Sequence, residues 1–496
     1  MISLPDIKIS SSAFHHGQTV AFVFLFFLLR LLSFWMAPHP VLQGFFVSGL
    51  ILAFAAATYH NEHIGWYMLV SELLLGGSGH FFELGGLAIR TLLIYTFLVI
   101  WTIRSLSNPD LRHRLIVPHR LFYILVPVLL VTVFASVRGI VMGNEFRAVA
   151  ADIIPFSFFG LLLPAYHLLH DRHHVPKIVI RLFIAFVLGS ALFALLNFTL
   201  FAGGFEIVHG PYYNWYRDFA LGKITDMGNG FFRVVAPEHL LIVPTLIITA
   251  SLLMRDEKHH VLWRVMIILS GLVLAINFSR SYLIAIAISL LLLKYKHSVS
   301  KWIKESAFAV LTLLVLFVGL NLAGSGGQSF GTELIAGRFG GIADVSSEAS
   351  AYTRSALLEP IYTKIFKHPI AGNGLGSSVT FFEPVLGSTI TTRQFDWGYL
   401  ELLAELGMFG FTIFIIFLGY IVAELLRHIR AAHEYHDFHV GLLASVTAFG
   451  IMTMFMPAFF HVFGVLFLVG TLAVAAQPVL FLDRFVDILY SVFHKR

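Results

Sequence analysis

The chain has 496 residues, of which 58% are hydrophobic and 12% charged, and its mean hydropathy is +0.83. Soluble domains carry about 25% charged residues, so this composition excludes an ordinary soluble protein and leaves a polytopic membrane protein. The net charge of +5 gives no case for nucleic-acid binding, and zero cysteines exclude disulfides and thiol chemistry.

A bilayer core needs about 20 apolar residues per helix. On that scale the apolar runs predict spans near 19–37, 41–58, 64–77, 84–103, 119–137, 149–167, 177–202, 232–254, 260–277, 281–294, 305–323, 399–424, 440–458 and 462–481. That makes about fourteen, or about twelve if the short early ones are broken or re-entrant. Backbone groups in lipid must be satisfied internally, and runs without barrel-like alternation leave only helices. The expected fold is therefore all-α, a polytopic transmembrane helical bundle. Lys8 precedes the first run, which contains Arg30 and lacks a small-residue cleavage site, so it reads as a retained helix and not a removed signal peptide.

Basic residues set the orientation. Arg104, Arg112, Arg114 and Arg120; Arg172, Lys177 and Arg181; Arg255, Lys258 and Arg264; Lys294, Lys296, Lys301 and Lys304; Arg427 and Arg430; and Arg484, Lys495 and Arg496 fall in alternate loops or the C-terminal tail. The positive-inside rule makes those segments and both termini cytoplasmic and puts 325–397 outside. With no repeat of fixed period and no soluble domain larger than that loop, residues 1–496 read as one membrane domain with 325–397 inserted in it.

Within the loop, "GSGGQSFG" reads as a flexible entry. In "ASAYTRSALLEPIYTKIF", Ala351, Leu357, Leu358, Ile361, Ile365 and Phe366 have the spacing of a helix lying on the membrane surface, bent near Pro360. "HPIAGNGLGS" then closes the loop with a turn.

Polar residues at the outer face are few. Arg280 lies in "NFSRSYL", a turn so short that its guanidinium must stand at the membrane's outer edge. Arg233 opens "RVVAPEHLLIVP" at the same level, followed within two turns by Glu238 and His239. Arginine there is costly unless paired or given an anionic client, and its planar fork of donors suits phosphate; interfacial snorkelling is the alternative. Asp396 precedes the span that begins at Tyr399, where the helix dipole favours its ionised form. It reads as an N-cap, a catalytic base, or both.

These residues carry a resemblance. "HPIAGNGLGS" followed after a spacer by "DWGYLELLAELGMFGF", with Tyr399, Leu400, Leu403, Glu405, Gly407 and Gly410, resembles the C-terminal signature of the O-antigen ligase and O-antigen polymerase superfamily. The "FSRSYL" turn around Ser279 and Arg280 is similar to the family's arginine-bearing turn. Arg233 with Pro237 is similar to the arginine that opens an earlier family helix, and Arg354 falls where the family has a loop-helix arginine. The resemblance covers roughly residues 225–425 and implies a metal-independent glycosyltransferase of type C-like architecture. Such an enzyme moves a glycan from an undecaprenyl diphosphate carrier to an acceptor hydroxyl: a lipid A core in ligases, the end of another repeat unit in polymerases, a protein serine in relatives. The candidate catalytic residues are Asp396 and Arg280, with Arg233, Arg338, Arg354, Glu238, His239 and Tyr399 as candidates to bind substrate. One departure stands out: family ligases usually carry a histidine as proposed base where this chain has Asp396. That makes the polymerase branch comparable, with His239 or His368 as substitutes if the fold brings them near.

The chemistry follows from the residues as well. Breaking an anomeric C–O bond to a diphosphate needs charge stabilisation of the leaving group, which preorganised arginines supply without a metal or other cofactor. A positioned base activates the acceptor hydroxyl, and a long loop covers the site and excludes water. His167, His170, His173 and His174, and His433, His436 and His439, have spacings that suit a metal, but they form no closed four-ligand set and fall on the cytoplasmic side; they read as solvated interfacial histidines. Glu72, Glu83 and Arg90 read as paired within the bundle, and His80 as a turn residue facing water. The competing class is a lipid-linked glycan flippase or polysaccharide transporter, disfavoured by the concentration of polar residues at one face and the lack of a repeat. A scaffold for polysaccharide export has no use for arginines around a carboxylate.

Overall fold

The computed structural model describes residues 11–171, 175–255, 260–295, 297–343, 349–383, 387–431 and 436–477. Lys8, Arg172, Lys258, Lys296, Arg484, Lys495, Arg496, His173, His174 and His433 lie outside the described residues.

The first half of the chain contributes helices α1 (Ser11–Met36), α2 (Pro40–His60), α3 (Glu62–Leu75), α4 (Ile89–Ser107), α5 (His119–Val141), α6 (Phe146–Ser157), α7 (Leu162–Asp171), α8 (Val175–Ala202) and α9 (Pro211–Asp218). The second half contributes α10 (Ile242–Leu253), α11 (His260–Asn277), α12 (Arg280–Leu292), α13 (Val299–Gly324), α14 (Thr332–Ala343), α15 (Ala349–Lys367), α16 (Gly398–Arg430), α17 (His436–Thr453) and α18 (Val462–Ala475). Among the described residues nine helical segments are long and apolar enough to cross a membrane, and Pro237–Leu253, Arg280–Leu292 and Val462–Ala475 are shorter apolar helices. The protein is thus an all-helical, multi-pass membrane protein.

Two expected spans begin instead in antiparallel hairpins. Strands β1 (Glu83–Leu84) and β2 (Leu87–Ala88) precede α4, and β3 (Lys223–Asp226) and β4 (Phe232–Val235) precede α10. A third hairpin, β5 (Val379–Glu383) and β6 (Ser388–Thr392), lies in the long loop. Segments of two to five residues are too short to show a period in sequence.

Burial explains the layering. Every described residue of α10 except Ile248 is buried, because α11 and α17 pack on it, and α17 in turn lies among α10, α12 and α16. The outer flanks of α1, α11 and α13 stay apolar and exposed at Val20, Phe24, Val261, Val265, Val310 and Leu311, the surface that a bilayer covers. The loop has a small core of its own, Leu357 and Ile361 of α15 with Val379, Phe381, Phe395 and Ala404 of α16. Thus α15, expected to lie on the membrane surface, docks its apolar face on β5 and α16, while Phe366 remains 75% exposed.

Candidate active site

The link from α11 to α12 is two residues, Phe278 with a left-handed φ of 43° and Ser279 as N-cap, so the chain reverses at once and Arg280 becomes the first residue of α12. Its guanidinium Nη1 donates to the carbonyl of Arg338 in α14, 2.9 Å away. Arg233, on β4, donates from Nε to the carbonyl of Asn277 at 2.7 Å, beside that same reversal. The β3–β4 turn meets α14 from the other side: Arg338 Nη2 stands 3.5 Å from Met227 Sδ, and Asn229 Nδ2 donates to Glu333 Oε2 at 2.8 Å. From α15, Arg354 Nε stands 3.6 Å from Asp396 Oδ2, and Trp397 Nε1 donates to the Arg354 carbonyl at 3.2 Å.

Electrostatics unites these contacts. Burial, reinforced by the positive charges of Arg338, Arg354 and Arg280 and partly offset by Tyr282, lowers the Arg233 guanidinium from its usual range to about 10. Four arginines from β4, α12, α14 and α15 therefore share one field, and Asp396 joins them through Arg354. At neutral pH the Arg233 guanidinium remains charged.

Asp396 is not the N-cap of α16. That position is Trp397, and Asp396 stands one residue earlier with a left-handed φ of 54°. The left-handed turn directs the carboxylate to Arg354 instead of the helix amides; such backbone is tolerated by aspartate and concentrates at functional sites.

The other expected site residues have internal partners. Glu238 Oε1 pairs with Arg30 Nη2 at 3.0 Å, both nearly fully buried, and Arg30 also donates to the carbonyls of Phe26 and Leu75. His239 Nδ1 stands 3.0 Å from the amide Nδ2 of Asn277, so Asn277 joins His239 through its side chain and Arg233 through its backbone. The Tyr399 hydroxyl donates to the Gly450 carbonyl at 2.9 Å, tying α16 to α17. His368 lies in the turn that ends α15, its carbonyl accepting from the Gly372 amide at 2.9 Å. Of the weighed histidines, His436 pairs with Asp437 and His439 stacks on His428, while Arg90 pairs with Glu72 and His80 with Glu83.

The glycine-rich stretch after His368 is a structural fastening. Helix α16 breaks at Gly407, whose φ is 66° and ψ −177°. Into the break runs Pro369–Gly374. The amides of Met408 and Phe409 donate to the carbonyls of Pro369 and Ile370 at 2.8 and 3.1 Å, and the amides of Asn373 and Gly374 to those of Ala404 and Glu405 at 2.8 and 2.9 Å. The amides of Met408 and Phe409 and the carbonyls of Ala404 and Glu405, which the kink separates, thus find partners, as apolar surroundings demand. A Cβ on Gly372 would strike the Glu405 carbonyl, and one on Gly374 the backbone of Gly139 in α5.

Three carboxylates received no role in the sequence reading, although Glu405 belongs to the signature. Glu401 Oε2 accepts from the Phe395 amide at 3.4 Å, next to Asp396; Glu405 Oε1 accepts from Ser377 at 3.2 Å; and Asp152 Oδ2 of α6 accepts from Gly376 at 2.7 Å. The available signal was a pair of glutamates one helical turn apart in an otherwise apolar run.

Residues 265–415 match the family model described as O-antigen ligase. Comparison of the whole chain with curated proteins returns no match. The matched segment holds Arg280, Arg338, Arg354, Asp396 and Tyr399, and in it the chain is similar to the O-antigen ligase and polymerase superfamily.

Proposed function

We propose that the protein transfers a glycan from an undecaprenyl diphosphate donor to an acceptor hydroxyl at the outer face of a bacterial inner membrane, as a ligase or polymerase. The observation that carries this reading is the convergence of Arg233 and Arg280 with Arg338, Arg354 and Asp396 of the loop that runs from 325 to 397.

In this reading the arginines hold the diphosphate through charge-assisted forks and stabilise the negative charge that develops as the anomeric C–O bond breaks. The acceptor oxygen forms the new bond to the anomeric carbon, its proton passes to Asp396, and undecaprenyl diphosphate leaves. Arg354 pairs with Asp396 before substrate arrives; as it turns to the diphosphate the carboxylate is released to act as base. The loop excludes water that would hydrolyse the donor. Cytoplasmic termini and an external loop follow from the basic-residue bias.

The test is the surface glycan pattern on a gel from cells lacking the gene, complemented with wild type, Asp396→Asn or Arg280→Ala. Loss of all attached chains indicates a ligase and single-unit chains a polymerase. Full rescue by both variants removes this site, and carrier-linked glycan trapped on the cytoplasmic side indicates a flippase.

A further inference from the structure

Helices α10, α11 and α13 connect the arginine cluster to the opposite end of the bundle. Helix α11, 18 residues long, ends at Asn277, against Arg233, and starts at His260. At a rise of about 1.5 Å per residue the two ends lie roughly 25 Å apart, close to the thickness of a hydrocarbon core.

At that far end the last residue of α10 and the first turns of α11 and α13 enclose a cavity of about 340 Å³. Leu253 and Met254 are its apolar lining, and Arg255, His260, Arg264, Lys301 and Lys304 supply cationic or titratable nitrogen, with Glu305 as the acidic member among the described residues. Arg255 is engaged with Asp437 at 3.4 Å, and Lys304 lies 3.5 Å from Glu305. Arg264 is different: its guanidinium stands 5.6 Å from the Phe308 ring, and its Nε is buried without a hydrogen-bond partner among the described residues. A buried donor of this kind costs stability unless an acceptor arrives from outside the chain.

Apolar side chains lead away from the cavity toward the middle of the bundle. Val261, Val265 and Ile268 form one exposed face of α11, and Leu311 and Val315 continue the exposed Lys304 side of α13. A phosphate seated among Arg264, Lys301 and Lys304 therefore has apolar tracks on which acyl chains can lie, an arrangement that suits a lipid better than a free anion.

We infer that this cavity binds the phosphate of an anionic phospholipid headgroup at the membrane face opposite the arginine cluster, with the acyl chains along α11 and α13. The site is separate from the glycan chemistry and stands whether or not that reading holds.

Delipidated protein in detergent, titrated with phosphatidylglycerol and read by native mass spectrometry, tests it. Parallel titrations use inorganic phosphate and diacylglycerol. Wild type should retain phosphatidylglycerol over both, and Arg264→Gln combined with Lys304→Gln should weaken retention about tenfold or more. Lys304→Arg, checked with the others for a monodisperse size-exclusion profile, should keep it. Equal retention by the double variant overturns the site. Inorganic phosphate binding as tightly as the lipid overturns the lipid assignment, and equal binding of diacylglycerol overturns the role of the phosphate.

Discussion

Arg280, the first residue of α12, is tied to the loop by a hydrogen bond to the carbonyl of Arg338. One side chain thus supplies a cation at the membrane edge and a tether for α14. Arg280→Ala should lower turnover about 10²- to 10³-fold, the usual cost of losing a preorganised donor to a developing anion. Arg280→Lys keeps the charge but loses the planar fork, and should fall between the two. Initial rates in membrane vesicles with a lipid-linked donor measure the ranking.

Asp396→Asn should cost about 10²- to 10⁴-fold, the range for a general base. Arg354→Gln should cost less, and the double variant little more than Asp396→Asn alone, because the two side chains form one pair. Glu401 contacts the Phe395 amide and not the donor in this arrangement, so Glu401→Gln should reduce kcat moderately while KM stays near wild type. Substrate-saturation curves for the four variants separate these outcomes.

Glu238→Gln tests a structural role. It leaves Arg30 buried with no charged partner, which typically costs about 3–5 kcal/mol. The expected result is a lowered Tm in detergent with activity lost in proportion to folded protein. Arg30→Met combined with Glu238→Leu should recover much of the Tm. A variant with normal Tm and abolished turnover would instead put Glu238 in the chemistry.

Gly407→Ala and Gly372→Ala each place a side chain at left-handed φ and against a carbonyl, of Ile370 and Glu405 respectively. The backbone strain alone is about 1–3 kcal/mol, before the clash. Gly419→Ala, on the same helix with nothing within 4 Å, should be neutral or slightly stabilising. Thermal melts of the three compare kink with helix directly.

Arg280 was legible in the sequence because a turn between two apolar runs leaves an arginine only the membrane edge. Asp396 was legible because it stands where a polar loop meets an apolar helix. Glu238 and His239 share the level of Arg233 but face inward, since a polar residue at a span's outer end is equally well served by a partner inside the bundle. That partner, Arg30, is 208 residues away in the chain, and no local pattern announces it. The break at Gly407 was illegible for a related reason, since it depends on a contact with distant Ile370 and Gly372, whereas the three hairpins were missed because their strands are too short to show a period. The packing of α15 was misjudged because an apolar helical face looks the same whether protein or lipid covers it.

The fastening of Pro369–Gly374 inside the kink of α16 ties the end of α15 to a membrane helix by four main-chain bonds. A segment held in this way moves with α16, so whatever displaces that helix displaces the end of α15 as well.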